Sequence, residues 1–214
     1  MYRFKLSFLI IPLLLLIGCD FPVEKDSKYY CLKLNLDCTN NVKHITFITS
    51  KGEFQLKLFA DTNPITVANF ISNIQNGIYK NKTFYSILNY QNNNLIQGGI
   101  DESHISKIST NDYLAPAKKH IPLEISFKNQ IEPKYNEPIE DPIQINNLRY
   151  HFSESSIAMK KIKEMSSSTE FFFSLNKSPH LDGRYSLFGE VVKGIEILRN
   201  LERGDKIIDV KFEN

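Results

Sequence analysis

Two neighbouring aromatic segments in this sequence have the residue types of adjacent strands in a β-rich core with an apolar pocket. Residues 169–173 form a short apolar run with high strand propensity, and residues 185–192 predict a second strand. A Leu-Asp-Gly turn separates them, in which Asp caps its own backbone and Gly supplies a positive φ. Phe172 and Leu181 are therefore expected to share one apolar pocket. For any single phenylalanine, a purely structural place in the core is the competing interpretation.

A second candidate binding element is a glutamine that precedes two glycines. Gln97 is followed by Gly98 and Gly99 and is preceded by two apolar residues. Paired glycines permit unusual backbone angles or the close approach of another chain. The tripeptide alone does not identify a function.

Periodic patterns predict the elements that must position these residues. Residues 44–49 are largely β-branched and residues 54–59 alternate, which predicts a hairpin of two half-buried strands. Asn63 or Thr62 is expected to cap a helix that has a proline in its first turn. A second helix is predicted at residues 195–201, and strands predominate elsewhere. This pattern favours a small closed or nearly closed β-barrel with helices capping its ends.

The order of short motifs along residues 44–212 resembles that of the cyclophilin-type peptidyl-prolyl isomerases. The motifs are, in chain order, strand-Lys-Gly-strand, an Asn-Pro helix with Asn-Phe, a Phe strand, Gln-Gly-Gly, Pro-x-Glu, Ile-Ala-Met, Phe-Phe-Phe, Leu-Asp-Gly-Arg-Tyr, Phe-Gly-x-Val, a helix and a strand. The resemblance implies an eight-stranded antiparallel β-barrel closed by two helices. It also implies cis/trans isomerisation of Xaa-Pro bonds, with proline-containing polypeptides as partners.

Isomerisation of an Xaa-Pro bond requires binding and polarisation without acid or base chemistry. The imide bond has a rotation barrier of ~18–20 kcal/mol, and uncatalysed isomerisation takes roughly tens to hundreds of seconds. A site must hold the proline ring in an apolar pocket, aim a hydrogen-bond donor at the nitrogen of the twisted imide, and grip the flanking backbone. The sequence gives no indication of a metal, nucleotide or organic cofactor, and the reaction requires none.

The donor in the family is an arginine two residues after the strand phenylalanine, and this chain has Ser86 there, two residues after Phe84. A hydroxyl on one carbon cannot reach as far as a guanidinium, and it carries no charge. Loss of an oxyanion-type donor costs about 10²–10³ in rate. We therefore expect weak or absent isomerase activity. The alternative is a non-catalytic module that binds proline peptides or a partner protein.

The resemblance assigns the other site positions residue by residue. Gln97 matches the glutamine that grips the substrate backbone, and it joins Ser86 as a catalytic candidate. The predicted substrate-binding residues are Leu95, Phe172 and Leu181 in the proline pocket, Asn94 in place of an aromatic, Glu170 in place of a glutamine, Tyr185 in place of a histidine, and Lys161, which with Lys160 replaces an Ala-Asn pair. Glu170 is expected to pair with Lys161 across the groove. Either Lys161 then acts as a substitute donor, or the two form an exposed pair of little energetic value.

The chain begins with a segment typical of a targeting signal. Residues 1–18 have a basic start and an apolar run that is short for a spanning helix. The run ends in Leu-Ile-Gly-Cys, which resembles the lipobox of bacterial lipoproteins, so Cys19 is expected to be lipidated. The alternatives are an ordinary cleaved signal and an uncleaved anchor. We expect residues 19–43 to form a tether and residues 44–214 to form a monomeric domain outside the cytoplasm, anchored to a membrane.

Three further features lie outside the predicted site. Cys31 and Cys38 are an even pair that is either a small disulfide loop or two free thiols. Residues 29–36 predict a short strand or an N-terminal extension packed on the domain. Residues 128–147 combine prolines with acidic residues and predict a loop insertion.

The charge of the chain does not favour nucleic acid as a partner. Without residues 1–18, the chain carries 24 basic and 24 acidic residues. A neutral chain gives no argument for binding nucleic acid.

Overall fold

The computed structural model describes residues 25–38, 44–90, 93–100 and 120–213. The helices are α1 (Ser27–Leu34), α2 (Pro64–Gln75), α3 (Pro142–Asn146) and α4 (Ile195–Arg199), with a short 3-10 helix at Pro179–Leu181. The strands are β1 (His44–Thr49), β2 (Gly52–Leu58), β3 (Phe84–Tyr90), β4 (Asn93–Gly98), β5 (His120–Pro122), β6 (Glu124–Ile125), β7 (Lys134–Tyr135), β8 (Ser156–Ile162), β9 (Met165–Ser174), β10 (Leu187–Lys193) and β11 (Ile207–Phe212). The predicted signal segment and Cys19 lie outside these ranges.

One curled antiparallel sheet carries most of the fold. Its strands follow the order β11-β1-β2-β10-β8-β9-β4-β3, and β5 pairs in addition with β9. The inner face is filled by phenylalanine rings in mutual edge and stacked contacts, among them Phe47, Phe54, Phe70, Phe171 and Phe173. These rings are almost fully buried, so the inner face of the sheet is the main core. The opposite, outer face of β4 and β9 does not contribute to this main core.

The expectation of a closed eight-stranded barrel with two helices is wrong in two respects. Eight strands do follow one path, but the sheet is a curled half-barrel that stays open between β11 and β3. Where these edges meet, an isolated Thr83–Lys206 bridge and short backbone hydrogen bonds join the turns that precede the two strands. Asn81 and Gly204 in those turns have positive φ, so ladder pairing does not extend from them. The described residues also contain four helices instead of two.

Patterned segments behave as predicted. The β1–β2 hairpin pairs Phe47 with Phe54 across its inner face. Helix α2 has a proline in its first turn, α4 begins at Ile195, and the final strand covers Ile207–Phe212. Alternation and helical spacing therefore identified the parts of the chain that bury one continuous face.

The segment before the domain is helical, so the alternative of a short strand at residues 29–36 is wrong. The Asp26 side chain accepts a hydrogen bond from the Tyr29 amide at 2.8 Å and caps α1. The structure contains a disulfide between Cys31 and Cys38, which decides between the two alternatives for these cysteines. Tyr30 is buried against the main core, and the segment is thus a packed N-terminal extension.

The insertion is more than a loop. It contains β7 and α3, and it closes over a separate small core formed by Leu123, Ile125, Phe127, Ile139 and Leu148. The Ile139 amide donates to the Gly183 carbonyl at 2.8 Å. The insertion therefore supports the Leu-Asp-Gly turn from outside.

Helix α2 is capped by a residue distant in sequence. Asn63 occupies the N-cap position but its side chain makes no capping hydrogen bond. The carboxylate of Glu124 instead accepts hydrogen bonds from the amides of Ile65 at 3.1 Å and Thr66 at 2.7 Å. Burial raises the pKa of Glu124 to about 7, although these hydrogen bonds oppose the shift.

We expect this buried carboxylate to make the protein less stable as pH rises. Glu124 has a higher pKa in the folded than in the unfolded chain, where it is near 4.5. Its contribution is most favourable below pH 4.5 and is lost as pH rises through about 7, by up to about 3 kcal/mol in the free energy of unfolding. Urea unfolding of the wild type and of Glu124→Gln across this range tests the expectation. The substitution should flatten the pH dependence, and parallel curves for the two proteins would contradict it.

Candidate functional site

A largely buried apolar cluster, called the outer pocket below, lies on the outer face of the sheet where the aromatic segments predicted an apolar pocket. Phe172 and Leu181 belong to one buried cluster that is separate from the main core. The cluster also contains Phe59, Phe152, Ala158 and Leu187, and the half-buried Leu95, Tyr150 and Tyr185 pack against it. Phe172 and Leu181 thus lie in one cluster, and their role in binding a proline ring stays a prediction.

Strand register explains why these residues face outward together. In the β4–β9 ladder, Gln97 lies opposite Phe172 and Ile96 lies opposite Phe173. Ile96 and Phe173 are fully buried in the main core, and side chains alternate along a strand. Leu95, Gln97 and Phe172 therefore share the outer face.

Aromatic contacts fix the shape of the pocket. The Phe172 ring stacks parallel to the Phe152 ring, with centroids 5.9 Å apart. The Tyr185 ring meets Phe172 edge to face at 5.1 Å. Edge-to-face and offset rings are the favoured arrangements of aromatic pairs. These rings form one wall of the pocket, and Tyr185 is its half-buried member.

The Asp182 carboxylate holds the turn that carries Leu181. It accepts hydrogen bonds from the Phe152 amide at 2.7 Å and lies 2.8 Å from Nδ1 of His151. The sequence predicts that this aspartate caps its own backbone. It instead accepts a hydrogen bond from the neighbouring segment at Phe152. Gly183 has φ +72°, as the turn requires. The turn therefore ties Leu181 to Phe152 across the pocket.

Ser86 lies beside the pocket, opposite Gln97 in the β3–β4 ladder. Together these two residues line a cleft of about 520 Å³. Its remaining walls come from Tyr85, Ile87, Leu88, Lys160 and Arg203. The two catalytic candidates are therefore adjacent, and the cleft beside them contains two cationic side chains.

Glu170 pairs with Lys160 and not with the predicted Lys161. Its carboxylate is 1% exposed and accepts hydrogen bonds from Lys160 Nζ at 2.7 Å and from the Tyr85 hydroxyl at 2.9 Å. Lys161 instead lies 3.9 Å from Glu164.

The alternation of strand β8 causes this difference. Ala158 belongs to the outer cluster and Met159 to the main core, so the next residue, Lys160, returns to the outer face. Glu170 is two residues from Phe172 and shares that face. Lys160 therefore faces Glu170, and Lys161, one residue later, does not.

Asn94 is not brought into the pocket cluster. Asn94 is two positions from the buried Ile96, so it shares the inner face of β4 and lies on the opposite face from Leu95. Its amide donates to Asn176 Oδ1 at 3.3 Å, and its carbonyl accepts from the Leu175 amide at 2.8 Å. Asn94 therefore helps to pair β4 with the end of β9.

Two residues near the site were absent from the sequence-based site prediction. Phe152 lies between the insertion and β8 and belongs to the outer cluster, and Arg203 lies in the turn before β11 and lines the cleft. No local pattern marks them, because the folded chain brings each one to the site. Lys160 was named in the sequence only beside Lys161, without a predicted partner of its own. Among the described residues, no group of three His, Cys, Asp or Glu side chains is arranged to hold a metal ion.

Comparison with known proteins identifies the family. Residues 44–213 match the model of the family described as cyclophilin type peptidyl-prolyl cis-trans isomerase/CLD. A Synechocystis sp. protein named as a thylakoid lumen peptidyl-prolyl cis-trans isomerase is 27% identical over 92% of this chain and 52% of its own length. The Arabidopsis thaliana isomerase CYP18-1 is 25% identical over 74% of this chain and 82% of its own length. The chain thus spans about half the length of the Synechocystis relative.

Solved structures share the fold. Cyclophilin AquaCyp293 from Hirschia baltica has a TM-score of 0.56 at 16% identity, over 88% of this chain and 80% of its own. A Cryptosporidium parvum cyclophilin type isomerase, crystallised in the presence of the dipeptide Ala-Pro, has a TM-score of 0.53 at 20% identity, over 80% of this chain and 99% of its own. The family match, the shared fold and the outer pocket lead to one conclusion: this chain belongs to the cyclophilin-type peptidyl-prolyl cis-trans isomerase family.

Proposed function

We propose that the outer pocket binds proline-containing segments of polypeptides and isomerises their Xaa-Pro bonds slowly. The observation that carries this proposal is the adjacency of an apolar pocket built on Phe172 and Leu181 to Gln97, with Ser86 directly opposite Gln97. Family membership supports the reaction class. The arrangement supports two of the three requirements of the reaction, an apolar surface for the ring and an amide for the flanking backbone.

The proline ring is expected to lie on Phe172 and Leu181, with Leu95 and Tyr185 at its sides. These apolar groups gain free energy by covering the ring, at about 25 cal/mol per Å² of apolar surface buried. The Gln97 side chain stands on the same face and is expected to hydrogen-bond the peptide backbone beside the proline. Binding on a rigid face also fixes the orientation of the imide before it twists.

The third requirement, a charged donor at the imide nitrogen, is met poorly. Ser86 offers an uncharged hydroxyl on a short side chain. Lys160 lines the same cleft, but its ammonium is bound by the buried Glu170 carboxylate at 2.7 Å. A second candidate function follows from this observation, namely binding of proline segments without useful turnover. Turnover at the uncatalysed rate with intact peptide binding would favour that candidate.

Substitution of Gln97 by Ala is expected to weaken binding of an Ala-Ala-Pro-Phe peptide by about fivefold to tenfold. A single hydrogen bond contributes about 1–1.5 kcal/mol, and the half-buried Gln97 makes little difference to folding. Titration of the ¹⁵N-labelled protein with the peptide measures both affinity and site. Signals of Leu95, Gln97, Phe172 and Leu181 should shift together.

Gln55→Ala is the matched control, because Gln55 is a half-buried glutamine on strand β2 and contacts Glu213. This variant should bind the peptide like the wild type. Peptide-induced shifts confined to residues away from β4 and β9, or equal affinities for the two variants, would contradict the proposed binding site.

We also propose that the protein acts outside the cytoplasm as a membrane-anchored monomer. Three observations support this location: residues 1–18 resemble a signal peptide, Leu-Ile-Gly-Cys precedes a potential lipid-bearing Cys19, and Cys31 and Cys38 form a disulfide. Disulfides persist in oxidising compartments outside the cytoplasm. One relative is also named as a protein of the thylakoid lumen. None of the helices within the described residues has the length and apolar character to cross a bilayer.

Cys19→Ser is expected to move the protein from the membrane fraction to the soluble fraction, because two or more acyl chains are needed for stable anchoring. Fractionation of cells that express the wild type or Cys19→Ser, with Cys31→Ser as the control, measures this. Persistent membrane association of Cys19→Ser, removed only by alkaline extraction, would contradict lipid anchoring.

A further inference from the structure

The cleft beside Ser86 carries a net positive charge within reach of a bound proline segment. Lys160 and Arg203 contribute cations to its walls, and Ser86 and Gln97 contribute a hydroxyl and an amide. Glu170 neutralises Lys160 at 2.7 Å. Among the residues that the structure describes, no acidic side chain forms an ion pair with Arg203. One uncompensated positive charge therefore remains in the cleft.

Backbone hydrogen bonds hold Arg203 at this wall. The Gly204 amide donates to the Phe84 carbonyl at 2.8 Å, and the Phe84 amide donates to the Asp205 carbonyl at 2.9 Å. This pair of bonds clamps the turn at residues 203–205 against the start of β3. Arg203 is consequently placed beside Ser86 by main-chain geometry, whatever rotamer its side chain adopts.

The serine in place of the family arginine also leaves room. The cleft has a volume of about 520 Å³, which is larger than an acidic amino-acid side chain requires. Ser86 on β3 and Phe172 on β9 both pair with Gln97 on β4, so they are two inter-strand spacings apart, a separation of roughly 10 Å. An extended peptide advances about 3.3 Å per residue, so the cleft is reached by a side chain one to three residues from the bound proline.

We infer that this cleft is a subsite for a carboxylate side chain, so that the protein selects proline segments with Asp or Glu one to three residues from the proline. The Arg203 guanidinium receives the carboxylate, and the Ser86 hydroxyl and the Gln97 amide donate the additional hydrogen bonds. This inference rests on the proposed function, because the proline must first occupy the pocket on Phe172. The inference assigns a substrate class to the protein, because the pocket itself recognises only the proline ring.

Peptides that differ at one position near the proline test the inference on the intact mature protein. Series with Glu, Gln or Lys at each of the three positions on either side of the proline are titrated at about 50 mM and about 200 mM salt. At the preferred position, Glu should bind about tenfold tighter than Lys, and the difference should shrink at the higher salt concentration because partly exposed charges are screened.

Arg203→Gln should abolish the preference for Glu over Lys and lower the affinity for the Glu peptide more than that for the Gln peptide. Arg199→Gln is the matched control, because Arg199 pairs with Glu154 through Nε at 2.8 Å and does not line the cleft. A wild-type protein that binds the Gln peptide but has equal affinity for Glu and Lys at every position would overturn the carboxylate subsite alone. A wild type that binds none of the peptides would overturn the proposed function and the subsite with it.

Discussion

Ser86→Arg is expected to raise the isomerisation rate of a short Xaa-Pro peptide by about 10²-fold, the largest gain that any single substitution offers in this site. The new guanidinium would project into the cleft of about 520 Å³ that Ser86 lines and approach the imide nitrogen. A charged donor aimed at a developing lone pair contributes about 10²–10³ in rate. A protease-coupled assay, in which the protease cleaves only the trans peptide, measures the gain.

Ser86→Met separates charge from size in this experiment. Methionine has a similar reach but no hydrogen-bond donor, so its rate should stay at the wild-type level. If Ser86→Arg leaves the rate unchanged although peptide binding is retained, the position of Ser86 is not what limits turnover. Equal gains from Arg and Met would also contradict the account, because they would show that filled volume is sufficient.

Gly99→Ala is expected to destabilise the protein by about 2–5 kcal/mol. Gly99 has φ +102°, and a Cβ atom there would lie 2.1 Å from the backbone oxygen of Thr169. A positive φ costs a non-glycine residue about 1–2 kcal/mol, and displacing packed backbone adds about 1–3 kcal/mol. Urea unfolding at constant pH measures the loss. Because Gly99 lies two residues from Gln97, peptide affinity should fall as well.

Gly77→Ala provides the matched comparison. Gly77 also has a positive φ, +68°, but a Cβ atom there would meet nothing within 4 Å. It should therefore cost only about 1–2 kcal/mol and leave peptide binding intact. Similar losses in the two variants would show that the conformation of Gly99, and not its contact with β9, decides its cost.

The sequence predicted the parts of the fold in which local periodicity and burial agree. The β1–β2 hairpin, helix α2 and strand β11 each bury one regular face, so their patterns were sufficient. Helix α1 was missed as a helix because Asp26 and the Cys31–Cys38 disulfide define it, and its apolar residues show no clear period. The opening between β3 and β11 depends on two turns with positive φ, which spacing alone does not reveal.

The sequence predicted those site residues that lie on the paired strands β4 and β9. Gln97 and Phe172 meet because β4 and β9 pair in register, and short motifs marked both strands. The partner of Glu170 was misassigned by one residue, since only the alternation of the folded β8 shows that Lys160 and not Lys161 faces outward. Phe152 lies in the segment between the insertion and β8, and Arg203 lies in a turn, so only the tertiary fold brings them beside the pocket.

Magnetisation exchange between the cis and trans proline signals of an Ala-Pro peptide tests the central claim most directly. This claim is that the outer face of β4 and β9 binds proline but lacks the charged donor at Ser86. The account predicts slow exchange with the wild type, less exchange with Gln97→Ala, and much faster exchange with Ser86→Arg. Wild-type exchange as fast as that of Ser86→Arg, or exchange in Gln97→Ala that equals the wild type, would contradict it.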